Sequence, residues 1–159
     1  RVRVTYENGI EVARNVENEW VYSSPRPRII GYGTQINIRS IDTPVGVVQY
    51  WRKVPMYATS YSPARSGTRV TAPWYGLTRT GKVLKKGMVA VDPDVVPLGT
   101  PLYIPGYGLA IAEDSGSGVI GSMIDLGYED SNYEPWSRQV IVYFRTPVPA
   151  DDEITWVMP

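Results

Sequence analysis

The chain contains neither cysteine nor histidine. That removes disulfides, thiol nucleophiles, imidazole bases and the zinc sites built on those ligands, so catalysis, if present, must use carboxylates or hydroxyls. Without histidine a Ser-His nucleophile is excluded as well. An excess of either charge is also missing: Lys plus Arg number 16 and Asp plus Glu number 16. With no basic stripe, a nucleic-acid partner is not expected. No apolar run approaches the roughly 20 residues that span a bilayer. Phenylalanine occurs once, against 12 Tyr and 5 Trp. Such rings pack on one side and hydrogen-bond on the other, which suits sugar faces, although strand propensity alone accounts for most of the tyrosines.

At 159 residues the chain holds one compact domain with a core, or a small domain with an appended module. It opens at Arg1 directly into a strand pattern, with no initiator Met or leader. A processed or trimmed fragment is therefore expected, any export signal or anchor having preceded it. Residues 2–13 read as a hairpin, because Val2, Val4 and Tyr6 alternate with polar residues, Asn8-Gly9 supplies the turn, and Ile10 and Val12 resume the alternation. A further strand is expected at Trp20–Ser23, followed by Pro25-Arg26-Pro27, then Ile29-Ile30 and the stretch Gly31–Thr34. Residues 35–54 hold two strand-like runs, Ile36–Ile41 and Val47–Trp51, around a turn signal at Thr43-Pro44 and Gly46. They read as a connector or as the first strands of the next domain. From Pro55 onward come short strand runs cut by Gly and Pro: Met56–Tyr61, Gly87–Val91, Pro101–Ile104, Tyr107–Glu113, Val119–Leu126 and Gln139–Phe144, with a tight turn at Pro105-Gly106. No helical period persists beyond two turns, so the expectation is an all-β fold whose main body is a closed or nearly closed small barrel.

Three aspartates stand oddly for solvated surface charges. Alternation puts Asp92 on the face of Ala90, and Asp114 on the face of Ala110 and Ala112, where small neighbours leave room beside a carboxylate. Asp125 sits between Ile124 and Leu126, in a strand where an unpaired charge is costly. Burial and a second carboxylate both raise a carboxyl pKa, which is what a general acid requires. Turn-forming is an equally good local account of Asp114 and a better one of Asp92, which precedes Pro93. Between the last two acids, Ser115-Gly116-Ser117-Gly118 has no bulk and several donors, as one wall of a binding groove would.

At these residues the sequence resembles a known family. The strings AVDPDVVPLGT (90–100), YIPGYGLAIAEDSG (103–116) and VIGSMIDLGY (119–128) look like the signature of the 3D, or three-aspartate, domain of stationary-phase-survival proteins. The same domain occurs in resuscitation-promoting-factor-like proteins. The likeness covers about residues 55–145 and extends more distantly to the barrel of MltA-type lytic transglycosylases. Residues 1–34, through VTYENGIEVARNV and Gly33-Thr34, look like the second half of a G-five domain, a β-rich wall-associated module. The organisation implied is a partial G-five extension at 1–34, a connector at 35–54, a double-psi β-barrel at 55–147 and a tail at 148–159. Two positions in Ser115–Ser117 depart from the family's Thr-Gly-Gly, and Ile120 stands where the family has Lys.

The resemblance implies a peptidoglycan lytic transglycosylase, outside the cytoplasm or at the wall. It would cleave the MurNAc-GlcNAc β-1,4 bond to leave 1,6-anhydro ends, with no cofactor and no metal. Asp125 is then the acid and base, Asp114 supports it, and Asp92 is a third active-site carboxylate. Thr78, Thr80 and Gly81 fall on the family's groove-lining Thr-x-Ser/Thr-Gly pattern, and Ser115, Gly116 and Ser117 on the opposing wall. Tyr61, Trp74, Tyr75, Tyr107 and Trp136 are candidates for stacking on sugar, Tyr61 and Trp136 foremost. The glycan strands of peptidoglycan are the expected partner, with anchoring to the wall through the N-terminal module. A glycoside hydrolase on the same barrel and a non-catalytic, expansin-like glycan binder are the other outcomes to be tested.

Overall fold

A computed structural model describes residues 1–21, 23 and 33–158. The chain divides into two compact units, Arg1–Gly31 and Tyr32–Pro159.

In the first unit, β1 (Val2–Glu7) pairs antiparallel with β2 (Ile10–Val16). Asn8 and Gly9 take φ of 52° and 80°, the left-handed pair that a two-residue hairpin turn needs to match strand twist. The expected hairpin forms and runs three residues further. Arg14 grips Glu11 with two hydrogen bonds of 2.8 and 3.0 Å, and Arg3 pairs with Glu17 at 2.6 Å. Val2, Ile10, Val12 and Val16 are all exposed. Trp20 and Val21 are exposed and in no strand; position 22 and the segment 24–32, with the expected Pro25-Arg26-Pro27 and Ile29-Ile30, lie outside the described residues.

The second unit is built on β3 (Arg39–Thr43), β4 (Gly46–Tyr61), β5 (Met88–Val91), β6 (Pro101–Ile104), β7 (Gly108–Asp114), β8 (Met123–Gly127) and β9 (Ser137–Arg145). Pairing runs β3-β4-β8-β5-β7-β6-β9, and β9 also pairs with β4. That last contact closes β4, β8, β5, β7, β6 and β9 into a six-stranded barrel, leaving β3 as a hairpin arm on β4. Two pairs are parallel, β4 with β8 and β5 with β7, and the rest are antiparallel. This is the double-psi barrel that the resemblance implied. Apart from the strands, the regular elements of the described residues are three-residue 3-10 turns at 63–65, 130–132 and 151–153. None is a helix that could cross a membrane.

Two strand runs expected to be separate, Val47–Trp51 and Met56–Tyr61, are one strand. β4 crosses residue 55 without a break, because Pro55 pairs with Ile141 of β9 in a continuous register. Residues 39–54, read as a connector or as the first strands of the next domain, supply β3 and the first half of β4 to the same compact unit. The turn between them is the one anticipated: Thr43 faces Gly46, whose φ is 101°.

Period-2 alternation fills the barrel. Val54, Met56 and Ala58 of β4, Val89 and Val91 of β5, Ala110 and Ala112 of β7, Ile124 and Leu126 of β8, and Val142 and Phe144 of β9 all point into one core. Each fully buried aliphatic chain contributes about 1.5–3 kcal/mol relative to exposure. The segment after β9 folds back on the barrel. Arg52 donates to the carbonyls of Thr155 and Trp156, Ile154 is buried, and Met158 packs against the core.

Candidate functional site

The residues between the core positions of β4, β5 and β8 face the other way, and there three strands bring the site together. In register, Asp125 of β8 lies beside Ala90 of β5 on one side and Thr59 of β4 on the other. On its far side, Ala90 lies beside Asp114 of β7. Two acids are thus held two strands apart, roughly 10 Å between their backbones, with an alanine methyl between them. Both acids and Ala90 line a cleft of about 420 Å³.

A bulge makes this possible. Between Val89 and Ala90 the β5–β7 register slips by one residue, so Val89 faces Ala112 and Ala90 faces Asp114. One extra residue on a strand turns the residues after it to the opposite face. Simple alternation placed Asp114 with Ala110 and Ala112; those alanines are in the barrel core, and Asp114 lines the cleft with Ala90 instead.

Asp125 is half-buried, and the Thr59 hydroxyl donates to its Oδ1 at 2.8 Å, the one hydrogen bond to this carboxylate among the described residues. Burial pushes its pKa above the usual carboxylate range; the Thr59 bond pulls down, and the charge of Asp114 pushes up again. Asp114 is far more heavily bonded. Its Oδ2 accepts the Tyr61 hydroxyl at 2.7 Å, and its Oδ1 accepts the backbone N–H groups of Arg79 and Ser115, both at 2.8 Å. Burial, with the adjacent Asp114 charge, drives the Tyr61 phenol well above its ordinary range, so it stays a donor. One carboxylate is thus anchored by three donors, while the other has a single side-chain donor and a pKa raised by burial.

Asp92 goes elsewhere. Its Oδ1 accepts the N–H of Asp94 at 3.1 Å and its Oδ2 the N–H of Gly121 at 2.8 Å. It shapes the turn after β5, ties that turn to the loop before β8, and does not line the cleft. The structure thus unites two of the three acids and uses the third to hold their loops. Among the described residues no group of three or more acidic side chains is arranged to hold a metal ion.

Of the other expected residues, Tyr61, Thr78, Ser115 and Gly116 line the cleft, as does the exposed Trp74. Thr80, Gly81 and Ser117 do not. Thr80 and Gly81 instead build the turn that presents Thr78 and Arg79. The Thr80 hydroxyl donates to Glu113 at 2.6 Å, and Gly81, with φ of 81°, returns its N–H to the Thr78 carbonyl. Tyr75 stays outside the cleft, and Ile120 is exposed beyond it. Trp136 and Tyr107 are buried. The Trp136 indole N–H donates to Tyr128 at 2.9 Å and its ring lies under the Arg138 guanidinium at 4.0 Å. The Tyr107 hydroxyl receives the Gly87 N–H and shares its one proton between the carbonyls of Gly127 and Met88.

Several residues of the site carried no sequence signal. Thr59 matters only because β4 and β8 pair in parallel. Glu113, in phase with the exposed Leu109 and Ile111, is 4% exposed through the same bulge and is paired with Lys82. Lys82 and Thr80 hold its carboxyl below the usual range. Arg65 and Arg79 also line the cleft.

Residues 87–140 match the family model of the 3D domain, and residues 1–35 that of the G5 domain. Along the chain, the G5 match thus precedes the 3D match. All three aspartates fall inside the 3D match. The chain is 30% identical over 154 residues to YabE of Bacillus subtilis (strain 168), described as a cell wall shaping protein, covering 87% of this chain and 36% of that one. It is 37% identical over 79 residues to the cell wall-binding protein YocH of the same organism, covering 47% of this chain and 25% of that one. The chain therefore spans about a third and a quarter of these relatives.

Proposed function

We propose that the 3D domain is a peptidoglycan lytic transglycosylase working at the cell wall, with Asp125 as its acid and base. The observation that carries this is the half-buried Asp125 carboxyl, raised in pKa, in a cleft of sugar dimensions beside an anchored second carboxylate. Protonated Asp125 gives its proton to the glycosidic oxygen between MurNAc and GlcNAc as the C1–O bond breaks and oxocarbenium character develops. As a carboxylate it then takes the proton of the muramic C6 hydroxyl, whose oxygen bonds to C1 and closes the 1,6-anhydro ring. Asp125 ends protonated again, and no water is consumed. Asp114, fixed by Tyr61, Arg79 and Ser115, supplies the negative charge that stabilises the cationic sugar. The G5 module holds the chain to the wall, outside the cytoplasm.

A second reading, a non-catalytic wall binder of expansin type, draws on the cell wall-binding relative. The mass of what is released from purified sacculi separates the readings. Anhydro-muropeptides support the transglycosylase, products heavier by one water support a hydrolase on the same barrel, and binding without release supports the binder.

A further inference from the structure

Closure of the anhydro ring uses a C6 hydroxyl, which muramic acid and N-acetylglucosamine both carry, so the reacting atoms do not tell a wall glycan from a neutral one. The difference lies in carboxylates, on the lactyl group or on the stem peptide. The cleft holds two cations that could read them. The Arg65 guanidinium is stacked on the Tyr133 ring at 4.2 Å. Arg79 is exposed on the cleft wall, and its guanidinium makes no hydrogen bond, ion pair or ring contact among the described residues.

What distinguishes Arg79 from an ordinary surface arginine is how its backbone is held. Its N–H is bound to Asp114 at 2.8 Å. On one side of it, Thr78 donates its N–H to the Lys82 carbonyl at 2.8 Å; on the other, Thr80 donates its N–H to the Glu113 carbonyl at 3.1 Å and its hydroxyl to the Glu113 carboxylate at 2.6 Å. Lys82 completes the clasp on that same buried carboxylate. With the turn already rigid and one backbone hydrogen bond from the carboxylate pair, only the side-chain rotamers of this guanidinium, and none of its backbone, need be ordered when it captures a ligand.

We infer that Arg79 is a specificity residue of the 3D cleft, engaging a carboxylate of the bound glycan and so selecting muramic-acid polymers over neutral ones. This rests on the reading of the cleft as a glycan site, which the release assay tests separately on the wild type.

The test is a binding cycle in the Asp125→Asn background, which prevents turnover. The probes are glycan strands with intact stems, strands stripped of stems by an amidase, and stripped strands whose lactyl carboxylates have been converted to amides. The parent should prefer each charged strand to the neutralised one by about tenfold or more, as for a charge-assisted hydrogen bond, and less at high salt. Arg79→Gln keeps the backbone N–H to Asp114 and should bind charged and neutralised strands alike, while Arg79→Lys should restore part of the preference. A preference lost only on stripped strands assigns the lactyl carboxylate, and one lost only on intact strands assigns the stem. If Arg79→Gln keeps the full preference, or weakens all three probes equally, the inference is wrong. Anhydro release by the wild type alongside that result would leave the transglycosylase reading standing.

Discussion

Replacing Tyr107 with Phe removes a single oxygen that ties together the strands of the site. That hydroxyl receives the Gly87 N–H at 2.8 Å and shares its one proton between the carbonyls of Gly127 at 2.6 Å and Met88 at 3.1 Å. Gly87 and Met88 begin the strand carrying Ala90, and Gly127 ends the strand carrying Asp125. Phe fills the same space, so no cavity opens, and the loss is that of hydrogen bonds with their partners left half-buried or buried. That costs about 1–3 kcal/mol. For a unit of this size each kcal/mol is worth about 4 °C, so the melting temperature should fall by about 4–12 °C. Tyr103, also buried, has no hydroxyl hydrogen bond within the described residues, so Tyr103→Phe should stay within about 0.5 kcal/mol of the wild type. Thermal melts followed by near-UV circular dichroism read both. Equal stability of Tyr107→Phe and Tyr103→Phe would refute the assignment of Tyr107 as a strut.

The same contacts set two further outcomes. Folding raises the Asp125 pKa above 3.8, so its ionised form costs stability, fully above the folded pKa and not at all below the ordinary value. Asp125→Asn can still accept from Thr59 and should therefore melt higher than the wild type at neutral pH, the gain vanishing in acid; a gain that grew in acid would reverse the argument. A Cβ at Gly127 would meet the Met88 carbonyl oxygen at 2.5 Å and Leu84 at 2.7 Å, whereas at Gly33 nothing lies within 4 Å. Gly127→Ala should thus lower the urea midpoint by the equivalent of about 1–3 kcal/mol, and Gly33→Ala should leave it unmoved.

Much of this architecture can be read from the chain. Asn8-Gly9 specifies its hairpin because only left-handed residues close a two-residue turn, and the short alternating runs from Pro55 onward specify a barrel. Asp125 is legible for the same reason, as a charge in an otherwise apolar strand. What escaped depends on contacts between distant segments. A one-residue bulge turns Asp114 to the face of Ala90 and buries Glu113, and nothing in Ala112-Glu113-Asp114 announces it. The join of two runs into β4 depends on β9 pairing along its length, and Thr59 meets Asp125 through a register across 66 residues. Trp136 shows the reverse hazard: an aromatic suited to sugar is used to pack the barrel against Tyr128 and the turn at Gly106.

The most direct measurement compares wild type and Asp125→Asn on purified sacculi, with released products weighed by mass spectrometry and folding checked by near-UV circular dichroism. The wild type should release 1,6-anhydro-muropeptides, and the variant, folded as before, should release them at least about a hundredfold more slowly, as expected when a general acid-base is lost. Equal release of anhydro products by the two proteins would contradict the role given to Asp125, and with it the proposed mechanism.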